Sequence, residues 1–249
     1  MKIYFLLPIL ILAGLTACEK KPTCASSMTL TATNLTPTVG DDVVVTALKE
    51  TSNEVFQWNG PDVNDINQSN TLTINGIKLS QSGVYSCSKG NTDCNTSLSD
   101  TILINVQLKQ ETPPCTPAIN VVTCSNIPSV TFSSVTKGFG TAFNTINLYG
   151  SASTIGYPTF TVLFNSYNGN VEPLDGTYIT TDRQVFNILQ EPNEISISFL
   201  YASNFYHCRS GNKVYVKHEN GKLQVTFCNL EFGVSPGSPT TCTGTIRQS

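Results

Sequence analysis

Along most of this chain apolar and polar residues alternate singly rather than recurring every three or four positions. Val43 to Ala47, Thr159 to Phe164, Ile195 to Tyr201 and Leu223 to Phe227 are short runs rich in Val, Ile, Thr, Phe and Tyr. Such residues suit a half-buried pleated surface. Gly, Asn, Pro and Ser separate the runs, as turns require. The pattern predicts an all-β protein built as two β-sandwich-like domains in tandem. One hairpin can be set residue by residue, because Asn220-Gly221 stands between Lys213 to His218 and Leu223 to Cys228. Asn-Gly takes the positive φ values of a type I′ turn. The register then sets Val214 opposite Phe227 and Val216 opposite Val225 on an apolar face. Tyr215, Lys217, Gln224 and Thr226 fall on the other, more polar face. A preceding turn at Ser210-Gly211 would put Cys208 opposite Lys213, which also opposes Cys228. Two strand spacings, about 9.6 Å, then keep Cys208 and Cys228 from bridging.

Two stretches interrupt the alternation. After Lys2, Ile3 to Ala13 is almost unbroken apolar sequence. It is shorter than the roughly 20 residues a spanning helix needs, and has the proportions of a signal peptide. It ends in Leu15-Thr16-Ala17-Cys18, which resembles the bacterial lipobox. The resemblance implies removal of residues 1–17, lipidation of Cys18 and anchoring to a membrane. Glu19 stands where inner-membrane retention signals place Asp, so the resemblance implies the outer membrane, with the periplasmic and extracellular faces both open. The second interruption is Gln110-Glu111-Thr112-Pro113-Pro114-Cys115-Thr116-Pro117. Three prolines deprive a sheet of ladder donors, and the stretch reads as a stiff linker. The expected order is signal peptide 1–17, tether 18–24, first domain 25–107, Pro-rich linker 108–117 and C-terminal β-sandwich domain 118–249. No internal repeat relates the two domains.

The first domain resembles the immunoglobulin-like family. Gly40-Asp41-Asp42-Val43 to Ala47 is similar to strand B, and Trp58, eleven residues after Ala47, fits the core tryptophan of strand C. Leu79-Ser80-Gln81-Ser82-Gly83-Val84-Tyr85-Ser86-Cys87 resembles the E–F corner and strand F, with Tyr85 two residues before the cysteine. Thr101 to Val106 would be strand G. Ala47 replaces the first core cysteine, and Gln81 replaces the acid that normally makes a salt bridge at this corner. Relatives among bacterial surface proteins often carry a cysteine before strand A and one after strand F, which implies Cys24 with Cys94. A Gly90-Asn91 turn would instead set Cys87 opposite Cys94. Both pairings stand as alternatives. In the C-terminal domain, Asp175-Gly176-Thr177-Tyr178 resembles small β-sandwiches of uncharacterised lipoproteins.

Composition narrows the chemistry. Charged residues make up 12% of the chain and the net charge is −3, so no basic patch points to nucleic acid. Nine cysteines, less one for the lipid, leave an even number for an oxidising compartment. The disulfide candidates are Cys24, Cys94, Cys115, Cys124, Cys208, Cys228 and Cys242. No metal is expected: Asp62-Val63-Asn64-Asp65-Ile66-Asn67 lacks the glycine and distal glutamate of a calcium loop. No cofactor or catalytic motif stands in the sequence. His207 and Cys208 point to opposite faces of a strand, which separates them as a nucleophilic pair. Tyr157, Tyr178, Tyr201, Tyr206 and Tyr215 could form a sugar-stacking platform, although a sandwich core or rim is the more usual place for them. The expected role is non-enzymatic binding or adhesion in the cell envelope. The Ig-like domain would act as spacer, and the partners would be the membrane and either a glycan or another surface protein.

Overall fold

The computed structural model describes residues 27–50, 54–65, 69–91, 96–140, 145–153, 158–165, 172–182, 192–234 and 238–249. Cys18, the tether, Cys24, Cys94 and Tyr157 lie outside these residues. The protein is all-β, with one 3₁₀ turn at Leu79–Gln81 and no α-helix among the described residues. No helix among them is long and apolar enough to cross a membrane.

The first seven strands are β1 (Leu30–Ala32), β2 (Val43–Ala47), β3 (Glu54–Gly60), β4 (Val63–Asp65), β5 (Thr71–Ile74), β6 (Gly83–Asn91) and β7 (Thr96–Ile104). They form two antiparallel sheets, β1-β2-β5 and β4-β3-β6-β7. The inward residues of both, Val43, Val45, Ala47, Phe56, Trp58, Tyr85 and Cys87 among them, share one core. This is an Ig-like sandwich. Trp58 is fully buried and its indole Nε1 donates to Ser69 O at 3.1 Å. The Tyr85 hydroxyl donates to Gln81 O at 2.8 Å, and burial pushes its pKa up to about 12. The Gln81 side chain accepts the Lys78 N–H at 2.9 Å, so an amide occupies the corner where an acid usually stands. Strand G is longer than expected and begins at Thr96. Ala47 and Cys87 are both in this core, with Cys87 a free thiol. Lys89 and Glu54 form an ion pair there at 3.3 Å, with side chains 2% and 0% exposed.

The remaining strands are β8 (Val121–Cys124), β9 (Val130–Thr131), β10 (Ser134–Gly140), β11 (Thr145–Ser151), β12 (Thr159–Asn165), β13 (Gly176–Thr180), β14 (Glu194–Tyr201), β15 (Asn204–Cys208), β16 (Lys213–Glu219), β17 (Lys222–Val234) and β18 (Thr240–Arg247). They form one sheet in the order β10-β11-β12-β14-β13-β16-β17-β18-β8-β9, with β15 also paired to β14 and β17. The end strands β9 and β10 are separated by two residues, so the sheet curls until its edges approach. Ser249 after β18 exchanges hydrogen bonds with Val135 on β10, which ties the curl. Opposite halves then meet through aromatic rings: Phe160 on β12 stacks on Phe227 of β17 at 5.6 Å, and Phe199 meets Phe232 at 5.1 Å. Burying each such ring contributes roughly 1.5–3 kcal/mol.

The Asn220-Gly221 hairpin has the register its sequence sets, Val214 with Phe227 and Val216 with Val225, and φ is positive at Asn220 and Gly221. The strand before it does not. Cys208 lies opposite Phe232 rather than beside Lys213, because β17 is thirteen residues long and pairs two strands in turn along one edge, with β18 on the other. Its first half pairs β16; after a register shift between Phe227 and Leu230 its second half pairs β15.

Disulfides join Cys115 to Cys228 and Cys124 to Cys242. Cys208, expected among the bridged cysteines, is a buried free thiol. Strand alternation turns it into the second core, whereas Cys87, also free, lies in the first. The Pro-rich stretch is fastened to the second sheet. Leu108 is buried in its core, Thr177 N donates to Lys109 O at 2.8 Å, and Cys115 is bonded to β17.

Candidate functional site

The polar face of the Asn-Gly hairpin is where the fold assembles a site. Cross-strand register lines up Thr177, Tyr215, Thr226 and Thr245 across β13, β16, β17 and β18. A second row joins Lys217, Gln224 and Arg247. Residues 110–117 run over these rows as a strap. Its fastenings are Cys115–Cys228, the Gln110 side-chain amide donating to Asp175 O at 2.5 Å, and Glu111 between Lys213 (2.8 Å) and Lys109 (3.1 Å). Among the described residues, no backbone hydrogen bond joins 110–117 to the sheet. Prolines at 113, 114 and 117 remove the donors that would have made the strap another strand. It therefore stands off the sheet, and a cleft of about 570 Å³ lies between.

Tyr215, Gln224, Thr226 and Thr245 line the sheet side of this cleft, and Pro113, Pro117 and Ile119 the strap side. Gln224 is 6% exposed. The Thr226 and Thr245 hydroxyls lie 3.0 Å apart. Two buried oxygens, Gln224 Oε1 and Thr177 Oγ1, have no hydrogen-bond partner. At the rim two cations share each carboxylate. Lys217 pairs with Glu219 at 3.1 Å, Arg247 approaches the same carboxylate at 3.7 Å, and the Lys213 and Lys109 bonds hold Glu111 below the usual carboxylate range. Gly176 also lines the cleft. Its φ is +151°, and a Cβ there would collide with Leu108, so only glycine lets the chain entering the strap pass so close.

Beside the cleft, His218 Nδ1 lies 2.6 Å from Asp175 Oδ1 and its Nε2 3.2 Å from Glu172 Oε1. Glu172 is held in turn by Lys137 at 2.6 Å. Burial pushes the Glu172 carboxyl up, but the bonds from Lys137 and His218 outweigh it and the net direction is down. The array clips β10, the 172–175 segment and β16 together.

The four described tyrosines of the five do not gather. Tyr178 and Tyr206 are core residues, Tyr201 is half-buried against the same core, and Tyr215 alone of those described lines the cleft. The Tyr178 hydroxyl donates to Leu174 O at 3.1 Å, a four-residue reach identical to that from Tyr85 to Gln81. His207 and Cys208 border a second recess of about 440 Å³ with Arg209 and Asp182. There burial pushes the Cys208 thiol up to about 11 and lowers the His207 pKa. A thiol so raised is a poor nucleophile. Among the described residues, no group of three or more His, Cys, Asp or Glu is placed to hold a metal ion.

Fold and site together define an all-β protein with an Ig-like sandwich and a strap-covered cleft on a second, curled sheet. No family model matches the chain, and no curated protein matches it in sequence. Solved structures similar to it include the second Ig-C2 domain of human Fc-receptor-like A, at 20% identity and TM-score 0.28, covering 32% of this chain and 96% of that one. Three N-terminal domains of the bacteriophage RB49 highly immunogenic outer capsid protein align at 10% identity and TM-score 0.30, over 90% of this chain and 98% of that one. The N-terminal eight Ig domains of Down syndrome cell adhesion molecule align at 10% identity and TM-score 0.26, over 89% and 44%. Likeness at this level assigns no ligand and no activity.

Proposed function

We propose that this protein is a lipid-anchored component of the bacterial cell envelope with a non-enzymatic binding role. Its Ig-like half is the spacer, and its second β unit carries the ligand. The lipobox-like Leu15-Thr16-Ala17-Cys18 supports the anchor, and Glu19 supports the outer membrane as its destination. The observation that carries the binding role is the cleft itself, a polar sheet face covered by a disulfide-fastened strap that makes no backbone hydrogen bond to the sheet among the described residues. Its volume falls in the range of about 300–1,000 Å³ usual for small-ligand sites.

A second reading, an accessory glycan-binding lipoprotein of an uptake system, is favoured by Tyr215 within that cleft. The experiment for both is expression of Cys18→Ser beside the wild type in a Gram-negative host, followed by cell fractionation. Wild-type protein is expected in the outer-membrane fraction and the variant in the soluble periplasmic fraction. Equal membrane association of the two would overturn the anchor.

A further inference from the structure

From the chemistry of the cleft we infer that its ligand is a polyhydroxylated ring, a saccharide unit held between strap and sheet. This deepens the proposed binding role and rests on it. Three observations converge.

The first is unmet hydrogen bonding. Gln224 lines the cleft, and its buried Oε1 has no hydrogen-bond partner. A buried polar group left unpaired costs free energy that native structures rarely tolerate. Gln224 is more than nine-tenths buried, and its oxygen can only accept. A hydroxyl donor supplied from the cleft, with a small shift of the side chain, satisfies it. The neighbouring Thr226 and Thr245 hydroxyls each donate and accept, the pattern that matches a ligand whose own groups are hydroxyls.

The second is charge. Lys217 and Arg247 share Glu219, and Lys213 and Lys109 share Glu111, so cations outnumber carboxylates among these groups. A hydroxyl-rich ligand, neutral or bearing a carboxylate, leaves these pairs intact, whereas a cationic ligand meets like charge. The third is shape. Tyr215 on the sheet side and Pro113 and Pro117 on the strap side offer flat apolar surfaces beside the polar Gln224, Thr226 and Thr245. A sugar ring has that same division, with C–H faces and hydroxyl edges. An extended peptide has a backbone that seeks ladder partners, and the sheet beneath the strap offers it no free edge.

The test uses the soluble chain from Glu19 onward, produced in an oxidising compartment so that the Cys115–Cys228 and Cys124–Cys242 disulfides form. Isotope-labelled protein is titrated with glucose, galactose, mannose, N-acetylglucosamine and glucuronic acid, with a neutral Ser/Thr/Asn peptide as the contrasting probe. The expected result is that at least one of these sugars shifts the amide signals of Gly176, Tyr215, Gln224 and Thr226. Gln224→Leu and Tyr215→Ala should each weaken that binding at least tenfold, with unchanged near-UV circular dichroism. Shift mapping on the wild-type chain decides the matter even if a variant misfolds. Shifts confined to other residues, preference for the peptide, or no response to any sugar would overturn the inference. None of these outcomes bears on the lipid anchor, which the fractionation of Cys18→Ser tests separately.

Discussion

Replacing Lys89 by Met should destabilise the Ig-like half by about 3–5 kcal/mol, the usual cost of breaking a buried ion pair from one side. Lys89 Nζ lies 3.3 Å from Glu54 Oε1, and the two side chains are 2% and 0% exposed. At an effective dielectric of about 20 this separation corresponds to roughly 5 kcal/mol of attraction, which offsets the desolvation of both charges. Losing the cation leaves a carboxylate in a core lined by Phe56 and Trp58. Removing both charges is a different perturbation. In Lys89→Met with Glu54→Leu, the groups released include Leu48 O, 3.3 Å from Lys89 Nζ, the Glu50 carboxylate, 3.7 Å from the same Nζ, and Glu50 N, 2.9 Å from Glu54 Oε2. Leu48 and Glu50 are exposed, so water can replace those bonds. The double variant should therefore lie within about 1–2 kcal/mol of wild type. Urea unfolding followed by tryptophan fluorescence reads this directly, because Trp58 is the chain's single tryptophan and sits in the same core. A loss below about 1 kcal/mol in Lys89→Met, or a double variant as unstable as the single one, would refute the reasoning.

Further predictions follow from other parts of the fold. Trp58→Ala should cost about 3–5 kcal/mol through the cavity it leaves, measured by the circular-dichroism urea midpoint; less than about 1 kcal/mol would contradict its place in the core. Gly176→Ala should lower the melting temperature of the second unit, since it opposes both a φ of +151° and the approach of Leu108; an unchanged melt would remove the close-passage argument. The depressed Glu172 carboxyl contributes stability that is present above its unfolded value near pH 4.3 and is lost as pH falls through the lower folded value. Glu172→Gln should therefore flatten the acid limb of the stability profile, and an unaltered limb would exclude the Lys137–Glu172–His218 array as its source.

Where physics is local, the fold was legible from sequence. Asn220-Gly221 dictates its turn, and the turn dictates the pairing of Val214 with Phe227. Trp58 and Tyr85 mark the Ig-like core because their rings must be buried and their polar tips hydrogen-bonded. Long-range placement was not legible. Nothing near Cys208 announces that β17 turns to a new partner midway, so the strand before the hairpin was set beside the wrong neighbour. The strap was read as a linker because proline content excludes a strand but says nothing about what lies beneath; the fastening is Cys115 to Cys228, 113 residues apart. Gln224 and Thr226 were placed on a polar face by alternation, but their burial depends on that strap. One signal was present and missed. Gly83-Val84-Tyr85 and Gly176-Thr177-Tyr178 share a Gly-x-Tyr spacing, and both tyrosines reach back four residues to a carbonyl.

The central claim, a binding protein held to the envelope by lipid, is tested most directly by the mass of its mature N-terminal peptide. Protein purified from membranes of a Gram-negative host is digested with trypsin, and the peptide containing Cys18 is identified by mass spectrometry. The account predicts a peptide that begins at Cys18 and carries diacylglyceryl and acyl mass on it. A peptide that begins elsewhere, or an unmodified Cys18, would contradict the account.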